Sequence, residues 1–278
     1  MSQPSDPPPR TVYRHRLLTR LCHWINLLCL AILLPSGLQI FNAHPRLYWG
    51  QYGANADPAV MEMVDAAAPK GGDEGVTRIG PVSLVTTGLF GLSMDHGYLE
   101  PRGFPTWMTL PSYQDLATGR HWHFFFAWLL VINGAVYLAH AVFSRHLTRD
   151  LLLTRDEAAP RRLWRDLLDH LMFKTPKGEA SARYNPLQKI AYLGVIFILL
   201  PLMLITGLTL TPGMDAAWPW LLDFLGGRQS ARTLHFITAN LIVLFVLIHV
   251  LEVMISGPVN EMRSMITGRW TIRTEKTP

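Results

Sequence analysis

The stretch Arg232-Thr-Leu-His235-Phe-Ile-Thr-Ala-Asn-Leu-Ile-Val-Leu-Phe-Val-Leu-Ile-His249-Val-Leu251 decides the fold. No Asp, Glu or Lys interrupts it, and about 20 apolar residues are enough for a helix to cross a bilayer. His235 and His249 stand fourteen residues apart. That is close to four full turns, so both side chains share a helix face, roughly 21 Å apart along the axis. Ionisable residues inside a membrane span face the bundle interior and mark function. Two such residues on one stripe at opposite depths imply two sites, each needing partners from other helices.

Working outward, three more stretches have the same character. The expected spans are Leu21–Phe41, Trp122–Phe143, Ile190–Leu210 and Thr233–Ile255, and only the last carries a charge, Glu252 in its final turn. Charged residues make up 16% of the chain, against about 25% in soluble domains. The expected fold class is therefore an all-α membrane protein: a four-helix transmembrane bundle with a long external loop between helices 1 and 2. The whole chain, 1–278, is read as a single membrane domain, with a cap loop at 42–120 and a cytoplasmic loop at 144–189. Ile79–Ser93 is short and broken by glycines, so it reads as loop, and Ala216–Gly226 reads as a helical turn at the interface. Leu163, Trp164, Leu167, Leu168, Leu171 and Met172 recur at helical spacing, which predicts an amphipathic helix on the inner surface or packed on the loops.

The apolar run from Leu21 is too long for a signal core and is read as an uncleaved first span. Cys22 and Cys29 are seven residues apart on one helix, beyond disulfide reach, and read as small apolar residues. Nothing in the pattern points to nucleic acid.

Lys and Arg set the expected orientation. The N-terminal tail carries four, Ser144–Lys189 ten, and the C-terminal tail four, namely Arg263, Arg269, Arg273 and Lys276. The segment 42–120 has five basic against eight acidic residues. Both termini are thus expected in the cytoplasm, with the long loop periplasmic or external. Trp24, Trp122, Trp218 and Trp220 fall at the predicted boundaries, where an aromatic belt belongs.

The chain has eleven histidines, and the second partners for His235 and His249 come from topology. His23 opens the first span at the depth of His249, and His123 opens the second at the depth of His235. This predicts two stacked haems, each with two axial imidazoles, which transfer electrons and do not readily bind oxygen. His121, two residues from His123, is the alternative outer ligand. Arginine precedes three of the four by three residues: Arg20/His23, Arg120/His123 and Arg232/His235. At that spacing each guanidinium is placed to pair with a haem propionate or to snorkel to lipid phosphate. Gly37 and Gly134 fall on the ligand faces, where a porphyrin plane or close helix packing needs a small residue. His140 reads as a boundary histidine or as part of a quinone pocket; His15, His44, His96, His146 and His170 read as surface residues.

The motifs Arg20-Leu-Cys-His23-Trp, Arg120-His-Trp-His123 and Arg232-x-x-His235, with His249 fourteen on, resemble the bacterial cytochrome b561 family, which includes the cytochrome b subunits of nickel hydrogenases and formate dehydrogenases. The resemblance covers all four spans. It implies two non-covalent b haems, ligands from the first, second and fourth spans, and electron exchange between the membrane quinone pool and a redox partner subunit. The run Gly119-Arg-His-Trp-His-Phe-Phe-Phe-Ala-Trp is similar to the thiosulfate-reductase-type branch, whose members anchor periplasmic molybdenum (molybdopterin) enzymes. The long loop suits a partner-docking surface. The competing readings are a stand-alone quinone-linked cytochrome oxidising a small species such as superoxide, and a haem-free anchor or metal transporter. The inner ends near His23, Asn26 and His140 are the quinone-site candidates.

Overall fold

The computed structural model describes residues 10–272 apart from 96, 173 and 175–177. The Pro-rich Ser2–Pro9 stretch, His96, Arg273 and Lys276 lie outside the described residues.

Four helices are long and apolar enough to cross a membrane: Leu17–Asn42, Leu116–Phe143, Pro186–Thr209 and Arg228–Ser256. The first two are α1 and α2. All four begin four to six residues before the expected spans, and the added turn carries their unsatisfied terminal amides out to the headgroup level, where water and polar groups can meet them. After α3 (Pro160–Leu171), the third span runs as α4 (Pro186–Gly194), a wide π turn (Val195–Leu199) and α5 (Leu200–Thr209). Asn185 caps α4 in a full capping box with Gln188. The short helices α6 (Pro212–Ala217) and α7 (Pro219–Phe224) occupy the interfacial turn. Then come α8, Arg228–Ser256, and α9, Pro258–Thr267.

The all-α expectation is corrected by the strands. β1 (Arg10–Tyr13) pairs with β8 (Arg269–Ile272). The segment between α1 and α2, including the Ile79–Ser93 stretch read as loop, builds β2 (Arg46–Leu47), β3 (Met61–Ala67), β4 (Asp73–Ile79) and β5 (Val82–Val85), an antiparallel sheet in that order. β6 (Gly91–Asp95) and β7 (Tyr98–Arg102) form a hairpin beside it. Gly91, at φ +77, faces the Val64 backbone, an approach that leaves no room for a side chain.

The chain divides into two compact units. One comprises Met1–Ile25, Asn133–Pro201 and Asn240–Pro278. Here His15 is 6% exposed, which corrects its reading as a surface residue; its Nδ1 lies 3.3 Å from the Tyr184 hydroxyl. Arg14 pairs with Glu261 at 3.3 Å and stacks 4.3 Å over Trp270. Asn133 donates to the Cys22 carbonyl at 2.9 Å, and both cysteines are buried and free, as expected. The other unit comprises Asn26–Ile132 and Leu202–Ala239. Its core gathers Leu38 and Phe41 of α1 with Leu47, Met63 and Phe104, so the strand-bearing segment is seated directly on the helix end. Arg102, 3% exposed, ties Phe104, Thr109 and Ser112 together.

Two facing histidine pairs as the candidate functional site

Each unit contains one pair of facing span histidines. In the first, the rings of His23 and His249 have centroids 6.3 Å apart and planes tilted by 57°. In the second, His123 and His235 are also 6.3 Å apart, at 66°. An imidazole nitrogen sits about 2 Å from a metal it binds, so two axial imidazoles on one iron hold their ring centres roughly 6 Å apart. Both pairs have that spacing, so the residues fit the group. His121 is exposed on α2 and His123 faces the partner ring.

The rings of the second pair are held by hydroxyls. His123 Nδ1 lies 3.1 Å from Ser36 Oγ and 3.2 Å from the Leu33 carbonyl. A carbonyl only accepts, so Nδ1 carries the proton and Nε2 presents its lone pair. Ser36 already donates to the Ile32 carbonyl at 2.7 Å, so its oxygen accepts from His123. The same logic holds on the other side. Thr206 donates to the Leu202 carbonyl at 2.6 Å and accepts from His235 Nδ1 at 2.9 Å. Small residues stand beside both rings: a Cβ on Gly37 would lie 3.2 Å from His123 Cε1, and one on Gly207 3.3 Å from His235 Cε1.

Sequence reasoning found Gly37 but missed Ser36, Thr206 and Gly207. The signal was a repeated hydroxyl–glycine pair in two spans, Leu34-Pro-Ser-Gly37-Leu and Leu204-Ile-Thr-Gly207-Leu.

The first pair has aromatic neighbours. Phe245 stacks on His249 at 5.9 Å and 12°, and Tyr192 meets His249 edge-on at 6.4 Å. Among the described residues, His23 Nδ1 is buried without a hydrogen-bond partner. The Cβ position of Gly134 opens on nothing within 4 Å. His140 Nε2 is likewise buried with no hydrogen-bond partner among the described residues.

The three arginines differ. Arg20 donates to the Ile266 carbonyl. Arg232 donates to the carbonyls of His44 and Arg46, the latter at 2.8 Å. Arg120 is exposed, with its guanidinium 5.5 Å from the Phe124 ring centre. Beside Arg232, His44 is part-buried, and burial, followed by Arg232 and Arg46, pushes its pKa below the usual histidine range. Among the described residues, no group of three or more His, Cys, Asp or Glu gathers to hold a metal ion.

A family model described as prokaryotic cytochrome b561 matches residues 14–268. The chain is 37% identical over 129 residues to a putative protein-methionine-sulfoxide reductase subunit, YedZ1, of Azospira oryzae, covering 46% of this chain and 61% of that protein. It is 25% identical over 166 residues to a probable Ni/Fe-hydrogenase B-type cytochrome subunit of Cupriavidus necator, covering 54% of this chain and 66% of that one. The chain thus spans less than two thirds of the length of either relative. No solved structure matches it. With four membrane-crossing helices and a match over nearly its full length, the chain belongs to the prokaryotic cytochrome b561 family and is a multi-pass membrane cytochrome b of electron transport.

Proposed function

We propose that the chain carries electrons across the bacterial inner membrane through two b haems, one held by His23 and His249 and the other by His123 and His235. The observation that carries this reading is the repeated 6.3 Å separation of the two ring pairs. Haem b, when bound, supplies a one-electron carrier whose potential follows axial ligand, burial and nearby charge.

The chain's own residues do the positioning. Ser36 and Thr206 fix the tautomer and rotation of the outer rings, so that Nε2 of each points a lone pair at the space between them. Phe245 and Tyr192 confine His249 by packing. A guanidinium has five N–H donors, so the carbonyl bonds of Arg20 and Arg232 leave donors over; Arg120, exposed, is the first candidate for a propionate. The open space at Gly134 leaves room for the porphyrin edge of the His23–His249 site.

The distribution of Lys and Arg supports cytoplasmic termini and an external segment between α1 and α2. Electrons pass between the quinone pool, met near His23, Asn26 and His140, and a periplasmic redox subunit. Both relatives are named as subunits of oxidoreductases, which supports such a partner. The partner class proposed is a molybdenum-dependent oxidoreductase, on the resemblance of the Gly119–Trp128 run.

The pyridine haemochrome spectrum of detergent-purified protein tests the reading. It is expected to give about two haem b per chain, with sharp low-spin bands on reduction. A value near one breaks one of the pairs, and folded protein without haem overturns the proposal.

A further inference from the structure

A spanning helix shows lipid an apolar surface along its length, but α9 lies beyond the last span. It follows α8 after one residue, Gly257 at φ +108, a left-handed turn that re-aims the chain where the span ends. Its faces are inverted relative to a helix packed on a soluble core. The polar face meets protein: Asn260 donates to the Thr271 carbonyl at 2.9 Å, Glu261 pairs with Arg14 at 3.3 Å, and Ser264 is buried. The apolar face is left outside. Val259 is 81% exposed and Ile266 62%, with Met262 exposed between them. Spacings of three and four put the three on one stripe. With Arg263 they line a shallow groove of ≈ 480 Å³.

α3, in the same unit, repeats the inversion. Its His170 stands 3.5 Å from Glu252 of α8, whereas Trp164, Leu167 and Leu168 are exposed. Arg161 and Arg165 flank that stripe and are exposed too.

Charge indicates what fills the α9 groove. Arg263 is exposed at its edge and spends one donor on Thr271 Oγ1. A guanidinium has five donors, so others are left. Glu261, the acidic residue of α9, is turned inward to Arg14, so the groove's rim is cationic. An apolar trough that continues from a span end and is edged by guanidinium suits an acyl chain joined to a phosphodiester.

We propose that α9 lies in the bilayer surface and binds an anionic phospholipid, its acyl chain along Val259, Met262 and Ile266 and its phosphate on Arg263, and that this lipid braces the His23–His249 pair. The brace is short. The Met265 carbonyl accepts from Trp24 Nε1 at 3.1 Å, and the Ile266 carbonyl accepts from Arg20. The Trp24 and His23 rings meet edge-on, 5.4 Å between centroids. The last turn of α9 thus meets lipid on its outer face and holds the His23 turn of α1 on its inner one. The brace rests on the reading of His23 and His249 as haem ligands; the lipid site does not.

The test uses the full chain in nanodiscs, with Val259→Cys carrying a bimane fluorophore. Cys22 and Cys29 are buried and do not compete for the label. Phosphatidylcholine discs receive a small share of either phosphatidylglycerol or phosphatidylcholine brominated on its acyl chains. Brominated phosphatidylglycerol is expected to quench at about fivefold lower content, the selectivity that one arginine at an anionic surface supplies. Arg263→Gln is expected to abolish the preference and Arg263→Lys to keep it, and inorganic phosphate is not expected to compete. Equal quenching by the two lipids, quenching by neither, or competition by phosphate overturns the lipid site. The brace is read on unlabelled discs as the rate at which apomyoglobin withdraws haem. The His23–His249 haem is expected to leave about fivefold more slowly with phosphatidylglycerol than without, and the His123–His235 haem at one rate in both. Equal loss of the His23–His249 haem in the two lipids overturns the brace. Folded, unmodified protein without haem sinks the proposed function, while phosphatidylglycerol selectivity in that same protein would still support the lipid site.

Discussion

The two histidine pairs share one ring separation but not one means of support. His123 and His235 are each gripped at Nδ1 by a hydroxyl and bordered by a glycine one residue further on. His249 lies against Phe245 and Tyr192, and His23 Nδ1 is buried with no hydrogen-bond partner among the described residues. Hydrogen bonds at Nδ1 raise the electron-donating power of an imidazole and fix its orientation, whereas aromatic walls exclude water and lower the local dielectric. One protein thus sets two otherwise similar sites by different physics. The hydroxyl-supported pair should favour the oxidised state more, and so have the lower potential.

The strongest way to break the comparison is to remove one ring from each pair. His235→Ala is expected to lower haem b from about two to about one per chain, and so is His249→Ala, each leaving the other site's spectrum intact. Loss of both haems from either variant would show that the sites do not assemble independently.

The glycines come next. Gly207→Val puts its Cβ 3.3 Å from His235 Cε1 with two methyls beyond it, so that ring must turn. Haem content is expected to fall toward one, with the His23–His249 bands retained. At the other pair, Gly134→Leu fills space that is open to 4 Å, so its effect reads directly whether the porphyrin edge lies there. The expected result is loss of the His23–His249 haem; an unchanged content removes Gly134 from that site.

A subtler test leaves both haems in place. Thr206→Val keeps the shape of the side chain and deletes the acceptor for His235 Nδ1–H. The weaker ligand should raise the midpoint potential of that site by about 30–60 mV, a three- to tenfold change in a one-electron equilibrium. Spectroelectrochemical titration resolves it. An equal shift at both sites would mean that the hydroxyl acts through the fold rather than through one ring.

What was legible in the sequence follows the same divide between local and long-range causes. The spans and the facing histidines could be read because helix period and bilayer thickness fix them locally. The strands between α1 and α2 could not. β4 opens with Asp-Glu-Gly and β7 holds Pro101, poor strand formers that gain their form from pairing with β3 and β6. Arginine roles were legible only as position. That Arg232 would spend its guanidinium on the carbonyls of His44 and Arg46 depends on where a distant segment folds back. Ser36 and Thr206 were visible as a repeated dipeptide, but only the structure says that the hydroxyls meet histidines.

The smallest expected effect concerns pH and again separates the two units. His15, in the unit of His23 and His249, is held to about 3 by burial first, then by Arg14, with His146, His23 and Arg20 adding to it. The folded chain keeps this ring neutral, while an unfolded chain protonates it below about 6.5. The unfolded state therefore binds more protons between those values, and stability rises with pH across the interval. The contribution is fully present above about 6.5 and is lost as pH falls toward 3. Other groups contribute to acid sensitivity in both units, so the discriminating quantity is a difference. His15→Gln should flatten the fall in thermal midpoint between pH 6.5 and 4 while leaving the neutral-pH spectrum unchanged. The gain should be larger when unfolding is followed through the His23–His249 bands than through those of His123–His235. A slope identical to that of the unmodified protein would mean that His15 is protonated in the folded chain, and that its bond to Tyr184 does not keep that unit's acid limit where burial sets it.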